Sequence, residues 1–125
     1  MKIMNNISIA ILCVNYNSYE SLINYLFSLD NAINQCIKNR LIVDVFVADN
    51  SIDKERINIQ TLKYINVKIF FYEKNNGYIG GIIKLMEEDC VDISIYRYVI
   101  ISNVDLQVSS DFFEKLSDKQ FADNV

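Results

Sequence analysis

The sequence predicts an α/β fold, a Rossmann-like and mainly parallel sheet with helices on both faces. Apolar runs of strand length alternate with segments of helical period four times along the 125 residues, as in parallel-sheet proteins. Each apolar run ends in a polar turn. Hydrophobic residues make up 51% and charged residues 22% of the chain, which is typical of a single globular domain of this length.

The spacing of apolar residues predicts where the individual strands and helices begin and end. Leu22, Leu26, Leu29 and Ile33 recur at helical spacing and predict the first helix, for which Ser18 is a good N-cap. The strands are short, continuous apolar runs. The expected elements are strands over residues 7–14, 41–48, 67–72 and 98–102, and helices over residues 18–37, 55–64, 80–88 and 111–116.

The last apolar run begins with Tyr98-Val99-Ile100-Ile101 and predicts a strand buried on both faces of the sheet. It delivers Asn103-Val104-Asp105 to the carboxyl edge, where α/β proteins bind their ligands. Asp105 is then either a helix cap or a metal ligand. Because Leu106-Gln107-Val108 follow instead of an immediate helix, a metal ligand is favoured, with a structural turn held by Asn103 as the alternative.

Four polar loops follow the four predicted strands. Since parallel strands place their carboxyl-end loops on one edge, we expect these loops to meet where a ligand would bind. The loops are Asn15-Tyr16-Asn17, Asp49-Asn50-Ser51, Asn76-Gly77-Tyr78 and Asn103-Val104-Asp105. Asn15 and Asn17 are explained by the backbone preferences of turns, and Asp49 is either a ligand acceptor or a turn residue.

Composition excludes several classes of function. The net charge of −4 leaves no basic surface for a nucleic acid. Histidine is absent, which excludes His-dependent nucleophiles and His-ligated metals. Cys13, Cys36 and Cys90 lie far apart and indicate neither a disulfide framework nor a zinc site. With no apolar stretch of roughly twenty residues and no signal peptide, we expect a cytoplasmic protein, at most peripheral at the inner face of the membrane.

In this order, the four loops resemble the N-terminal, nucleotide-sugar-binding part of family 2 glycosyltransferases of the GT-A fold. The resemblance extends from Ile7 to about Leu116, with Asn103-Val104-Asp105 in the place of the DxD motif. It implies an inverting transferase that uses a UDP- or dTDP-sugar and a saccharide or lipid-linked acceptor. The Asn-x-Asp variant is similar to rhamnosyltransferase-like members that build bacterial surface polysaccharide.

The resemblance also implies roles for single residues. Tyr16 would lie against the nucleotide base, with contacts added by Asn17, and Asp49 would accept a hydrogen bond from the imide N–H of uracil or thymine. The segment that begins with Asn76 and Gly77 would lie near the diphosphate, where glycine and a helix N-terminus allow phosphate to approach backbone amides.

The DxD-like motif implies a metal. By resemblance, Asp105 would ligate Mg²⁺ or Mn²⁺ that bridges the two phosphates, with Asn103 beside it. Mg²⁺ typically takes only one or two protein carboxylates together with substrate phosphates. The replacement of the first acid of the motif by asparagine therefore removes one charge without abolishing the site.

The general base of such an enzyme lies beyond the metal motif, so we expect residues 1–125 to be one donor-binding domain, truncated before the acceptor-binding part and inactive alone. Its uncovered face is expected to promote self-association. The alternative is a non-catalytic nucleotide-binding or receiver-like signalling module. A receiver needs an acidic pair after the first strand, where this chain has Val14-Asn15-Tyr16.

Overall fold

The computed structural model describes residues 6–36, 40–89 and 91–116. The elements are β1 (Asn6–Asn15), α1 (Tyr19–Asn34), β2 (Arg40–Asp49), β3 (Ile65–Phe71), α2 (Gly77–Glu87), a short 3-10 helix (Ile93–Ile95), β4 (Tyr98–Asn103) and α3 (Phe112–Leu116). Within these residues, no helix is long and apolar enough to cross a membrane.

The four strands form one parallel sheet in the order β3-β2-β1-β4. β1 pairs with β2 from Asn6 opposite Arg40 to Asn15 opposite Asp49. The chain therefore builds the sheet outward from β1 to β3 and then returns to add β4 on the other side of β1. This reversal is the topological switch point at which open α/β sheets bind ligands. The predicted α/β, Rossmann-like fold class is confirmed.

Alternating side chains of the strands enter two cores, one on each face of the sheet. On the α1 face, Ile9 and Ile11 pack with residues of α1 and with Phe113 of α3. On the α2 face, Ala10 and Leu12 pack with residues of α2. Each fully buried Ile or Leu contributes about 1.5–3 kcal/mol of transfer free energy. β1, buried on both faces, is thus the centre of the domain.

The helix predicted over residues 55–64 is wrong, because these residues form an irregular segment. The carboxylate of Asp30, on α1, accepts hydrogen bonds from the backbone N–H groups of Lys63, Tyr64 (2.7 Å) and Ile65 (3.1 Å). A carboxylate that accepts hydrogen bonds from several N–H groups stabilises a non-helical backbone, which here leads into β3. The contact spans more than thirty positions, so local periodicity carried no sign of it.

β4 is not buried on both faces, contrary to the sequence prediction. It is the edge strand, and among the described residues it pairs only with β1. α2 packs against β1 and β2, so Val99 and Ile101 stay 38% and 54% exposed. An unbroken apolar run indicates burial only when both faces of the strand are covered.

α2 begins at Gly77, three residues before the earliest predicted start at Gly80. Gly77 has a φ of +72°, a conformation that favours glycine and that turns the chain into the helix. Gly81 lets the helix approach the sheet, because a Cβ there would lie 2.8 Å from Val14 Cγ2 and 3.3 Å from Ala48 Cβ. Residue 37, where α1 was expected to end, and Cys90 lie outside the described residues.

Candidate functional site

An open cleft of about 480 Å³ lies at the carboxyl edge of the sheet. It is bounded by the ends of β1 and β4 and by the start of α2, and it therefore occupies the switch point. Its lining residues are Val14, Tyr16, Ser18, Asn75, Gly77, Tyr78, Asn103, Val104 and Asp105. Three of the four predicted loops thus meet at one cleft, whereas the loop after β2 does not line it.

The loop after β1 supplies one wall. Tyr16 is 43% exposed and its ring is available to a ligand. Asn17 adopts a left-handed φ of 54°, which asparagine tolerates. Its N–H donates to Ser51 Oγ (2.8 Å) and its Oδ1 accepts from the N–H of Ile52 (3.1 Å). Asn17 therefore braces the β1 loop against the β2 loop and does not line this cleft.

Ser18 occupies the N-cap position of α1, as predicted, but its side chain does not cap the helix. Its hydroxyl donates instead to the carbonyl of Tyr16 (3.0 Å), while its N–H donates to Asn15 Oδ1 (3.1 Å). Both bonds hold the turn that presents Tyr16. Asn15 is fully buried in this turn, consistent with the structural interpretation of this residue.

Asp49, at the end of β2, is fully buried. Its Oδ2 accepts the hydroxyl of Tyr19 (2.5 Å), and its Oδ1 accepts the N–H of Ser51 (3.0 Å) and the side-chain amide of Asn15 (3.4 Å). Burial, and then the hydrogen bond to Asp49, raise the pKa of Tyr19, so that its phenol stays protonated as a donor. The carboxylate is the centre of an internal network beside the cleft.

Lys54 also stabilises the loop after β2, a role that no feature of the sequence indicated. Its ammonium donates to the backbone carbonyls of Asp49 (3.1 Å), Ser51 and Tyr72 (2.6 Å). Because Tyr72 directly follows β3, this one side chain joins the ends of β2 and β3. Three carbonyl acceptors match the three donors of an ammonium group. The β2 loop is therefore a structural unit held on both of its sides.

The N-terminus of α2 forms the opposite wall of the cleft. Asn76 stands at the N-cap, but its side chain does not cap the helix, and its Nδ2 donates to the carbonyl of Lys74 (2.8 Å). Asn75 Oδ1 accepts the N–H of Gly77 (3.0 Å). Asn75 thus occupies the first N–H of α2, that of Gly77, whereas the N–H groups of the following residues of the first turn receive no side-chain cap from Asn76. These remaining N–H groups and the helix dipole favour an anion at this position.

Asn50 links the buried loop to this helix. Its Nδ2 donates to the carbonyl of Gly77 (3.3 Å), and its N–H donates to the carbonyl of Asn15 (2.9 Å). Its Oδ1 is buried and has no hydrogen-bond partner among the described residues. Such an atom normally finds a donor, so the junction between the β2 loop and α2 retains one unused acceptor.

The end of β4 supplies the acidic residue of the cleft. Val104 is buried in the α1-face core, whereas Asn103 and Asp105 on either side of it are exposed and line the cleft. No group of three or more Cys, Asp or Glu side chains gathers among the described residues. Asp105 is the only carboxylate that lines the cleft in this part of the chain. These residues fit a Mg²⁺ or Mn²⁺ ion shared with a phosphate ligand, but not one held by protein alone.

A second cleft, of about 440 Å³, is lined by Asn17, Tyr19, Asp53 and Glu55. Two of its four lining residues are acidic, which disfavours an anionic ligand. The larger cleft, with a helix N-terminus and, among the described residues, a single carboxylate, is therefore the better candidate for a ligand that contains phosphate.

Two structures of TarS from S. aureus, a glycosyltransferase, share this fold. One aligns over 90% of this chain with a TM-score of 0.57 and 18% identity. The other, of TarS 1–349, aligns over 92% with a TM-score of 0.50 and 20% identity. This chain spans 19% and 32% of those two chains, respectively. No protein-family model matches the sequence, and neither does any curated protein. At these identities the likeness shows a glycosyltransferase-like fold.

Proposed function

We propose that this chain is the donor-binding part of an inverting, family 2, rhamnosyltransferase-like glycosyltransferase that uses a UDP- or dTDP-sugar. One observation carries the proposal. At the switch point of the sheet, the N-terminus of α2 and the Asn103-Val104-Asp105 turn line one open cleft, with the exposed ring of Tyr16 in its wall. These are the parts that a base, a diphosphate and a shared metal require.

The diphosphate is proposed to lie between Gly77 and Asp105. Backbone N–H groups of the first turn of α2 bind one side of it. Asp105, with Asn103 beside it, would hold Mg²⁺ or Mn²⁺ on the other side. The metal would stabilise the charge that develops on the diphosphate leaving group. The chain carries a net charge of −4, and no Lys or Arg of the described residues lines the cleft, so the metal is the expected counter-charge.

The base is proposed to stack on Tyr16, with its imide N–H directed to Asp49. An ionised carboxylate offers about four acceptor positions, and three donors already use the Asp49 carboxylate. Because Asp49 is fully buried and does not line the cleft, this contact requires the β2 loop to open, and it stays a prediction.

Glycosyl transfer is proposed to need a carboxylate base that residues 1–125 do not supply. Asp105 is assigned to the metal, and no second carboxylate lines the cleft in the described part of the chain. A general base contributes on the order of 10²–10⁴-fold to the rate. The bacterial surface polysaccharide context and a saccharide or lipid-linked acceptor belong to the same proposal. A non-catalytic nucleotide-binding module is the second candidate, favoured by this single carboxylate.

Calorimetric titration of the 125-residue chain with UDP, in the presence and absence of Mn²⁺, tests the proposal. We expect binding that strengthens with Mn²⁺ and returns to the metal-free value when EDTA is added. Absence of UDP binding under all conditions would refute the proposed donor site, and binding indifferent to EDTA would refute the metal. Turnover of a UDP-sugar in the presence of Mn²⁺ by this chain alone would contradict the assignment of the base to another segment.

A further inference from the structure

Four tyrosine hydroxyls of this domain bond to polar side chains. They are those of Tyr19, Tyr25, Tyr72 and Tyr96, which bond to Asp49, Ser102, Asp89 and Asp44, respectively. All four tyrosines are buried or half-buried. A tyrosine withdrawn from water normally finds such a partner, because an unpaired polar group in the protein interior is destabilising. A half-buried tyrosine whose hydroxyl lacks a partner within the protein is therefore a candidate ligand contact.

Tyr78, the second residue of α2, is such a tyrosine. It is half-buried, yet its hydroxyl has no hydrogen-bond partner among the described residues. In this part of the chain, the buried side-chain polar atom that lacks a partner is Asn50 Oδ1, so the hydroxyl of Tyr78 is not sealed inside the protein. Because Tyr78 lines the cleft at the carboxyl edge of the sheet, its hydroxyl is open to a ligand there.

The surroundings of Tyr78 keep its hydroxyl a hydrogen-bond donor. Burial raises the pKa of Tyr78, and Cys13, near the end of β1, contributes in the same direction. Tyr78 in turn contributes to the raised pKa of Tyr25 on α1, which burial mainly causes. The phenol therefore lies between α2 and α1, over the end of β1, and it stays protonated at neutral pH.

A diphosphate in this cleft needs such a donor. No Lys or Arg of the described residues lines the cleft, and the N–H of Gly77 is already bonded to Asn75. A hydroxyl that donates to an ionised oxygen forms a short, charge-assisted hydrogen bond. The diphosphate is proposed to lie between Gly77 and Asp105, beside Tyr78, and its oxygens are acceptors of this kind.

We propose that Tyr78 is a further determinant of donor affinity, because its hydroxyl donates a hydrogen bond to a phosphate oxygen of the nucleoside diphosphate. This inference rests on the proposed donor site and adds a neutral side-chain donor to the backbone N–H groups of α2 and to the metal. Phenylalanine lacks only the hydroxyl, so Tyr78→Phe removes this contact and retains those of the ring.

Calorimetric titration of the Tyr78→Phe chain with UDP and with uridine, both in the presence of Mn²⁺, tests the inference. We expect UDP affinity to fall roughly tenfold or more, as is typical when a hydrogen bond to a charged group is lost. Uridine has no phosphate, so the variant should bind uridine as tightly as the parent does. The matched control is Tyr64→Phe, at an exposed tyrosine (45%) outside the cleft, which should bind both ligands like the parent.

Urea denaturation provides a second measurement. Since the hydroxyl of Tyr78 has no partner in the described part of the chain, Tyr78→Phe should unfold at the same urea concentration as the parent. Tyr25→Phe, which removes the hydrogen bond to Ser102, should unfold at a lower one.

Each other result would overturn the inference. A parent that binds UDP no more tightly than Tyr78→Phe does would exclude the phosphate contact and leave the donor site intact, whereas a parent that binds no UDP would refute both. Equal losses of UDP and uridine affinity would indicate that the hydroxyl does not act on phosphate. A Tyr64→Phe variant as impaired as Tyr78→Phe, or a Tyr78→Phe variant destabilised as much as Tyr25→Phe, would contradict a free hydroxyl in the cleft.

Discussion

The ends of β2 and β4 carry similar polar tripeptides in opposite environments. Asp49-Asn50-Ser51, after β2, is buried throughout, and its carboxylate accepts three hydrogen bonds from within the protein. Asn103-Val104-Asp105, after β4, buries only its central valine and presents both polar residues to the cleft. An acidic residue at a strand end is thus structural in one place and available to a ligand in the other.

The position of each strand in the sheet accounts for the difference. β2 lies between β1 and β3, so its terminal loop is enclosed by Asn17 on one side and by Lys54 on the other. β4 is at the edge, and its end faces the switch point, where neighbouring loops diverge. Chemical type alone does not predict whether a carboxylate at a strand end is buried or exposed, whereas the position of its strand in the sheet accounts for the difference here.

The largest expected effect is on stability. Asp49→Ala would leave the buried Tyr19 hydroxyl and the Ser51 N–H without an acceptor. Each unsatisfied buried group destabilises the folded protein by about 1–3 kcal/mol. We expect a loss of roughly 3 kcal/mol in the free energy of unfolding, which is a large fraction of the total for a domain of this size. Asp105→Ala should change it by less than about 0.5 kcal/mol, because the residue is exposed. Urea denaturation measures both, and equal losses would contradict the comparison.

The next effect is on ligand binding at the β4 end. Asp105→Asn should abolish the increase in UDP affinity produced by Mn²⁺. Uridine has no phosphate that could share a metal, so the variant should bind uridine as tightly as the parent does. Asp111→Asn is the matched control, because Asp111 lies outside the cleft beside Ser109 and Lys115, and it should behave like the parent. Equal losses of UDP and uridine binding would indicate damage to the fold and no metal role.

A smaller effect is expected at Tyr19, whose hydroxyl donates to Asp49 at the end of β2. Tyr19→Phe removes one donor from Asp49 and should cost about 1.5–3 kcal/mol of stability, the typical contribution of a hydrogen bond to a charged group. If Asp49 accepts the pyrimidine imide, the freed oxygen should make this variant bind UDP at least as tightly as the parent. N3-methyl-UDP, which lacks the imide proton, should show no such gain. Calorimetry with both nucleotides measures the difference, and equal gains would exclude the Asp49 contact.

The smallest effect concerns alkaline pH. Tyr25, on α1, hydrogen-bonds Ser102 and so anchors the end of β4, and burial raises the pKa of Tyr25 to about 12 from 10.0. A raised folded-state pKa means that the folded protein holds the proton of Tyr25 more tightly than the unfolded chain does. The contribution of Tyr25 to the free energy of unfolding is therefore fully present below pH 10 and is lost between pH 10 and 12. Tyr25→Phe should flatten this part of the profile. An unchanged slope in denaturation curves above pH 10 would contradict the assignment.

Much of the fold was predictable because it is encoded locally. The parallel sheet follows from alternating strand and helix periods, and the expected strands agree with β1 to β4 within about two residues. The cleft-lining positions of Tyr16, Gly77 and Asp105 follow from the rule that loops at the carboxyl ends of parallel strands share an edge. A polar turn directly after an apolar run is visible in the sequence itself.

The remaining features depend on contacts between distant parts of the chain. The burial of Asp49 depends on Tyr19 and Asn15, thirty and thirty-four positions away. The non-helical end of the 55–64 segment depends on Asp30, and the exposure of Val99 depends on α2 packing against β1 and β2. None of these partners is marked by periodicity or by a turn signal. Sequence patterns therefore located the candidate site but not the side chains that support it.

The most direct test of the difference between the two strand ends is a ¹H–¹⁵N correlation spectrum of the chain, recorded as UDP is added in excess Mg²⁺. We expect the largest shifts at the amides of Tyr16, Gly77, Tyr78 and Asp105, with Mg²⁺ alone causing much smaller ones. Shifts concentrated instead at Asp53 and Glu55, around the second cleft, would show that the ligand binds beside the β2 loop and would contradict the assignment of the open β4 end as the binding site.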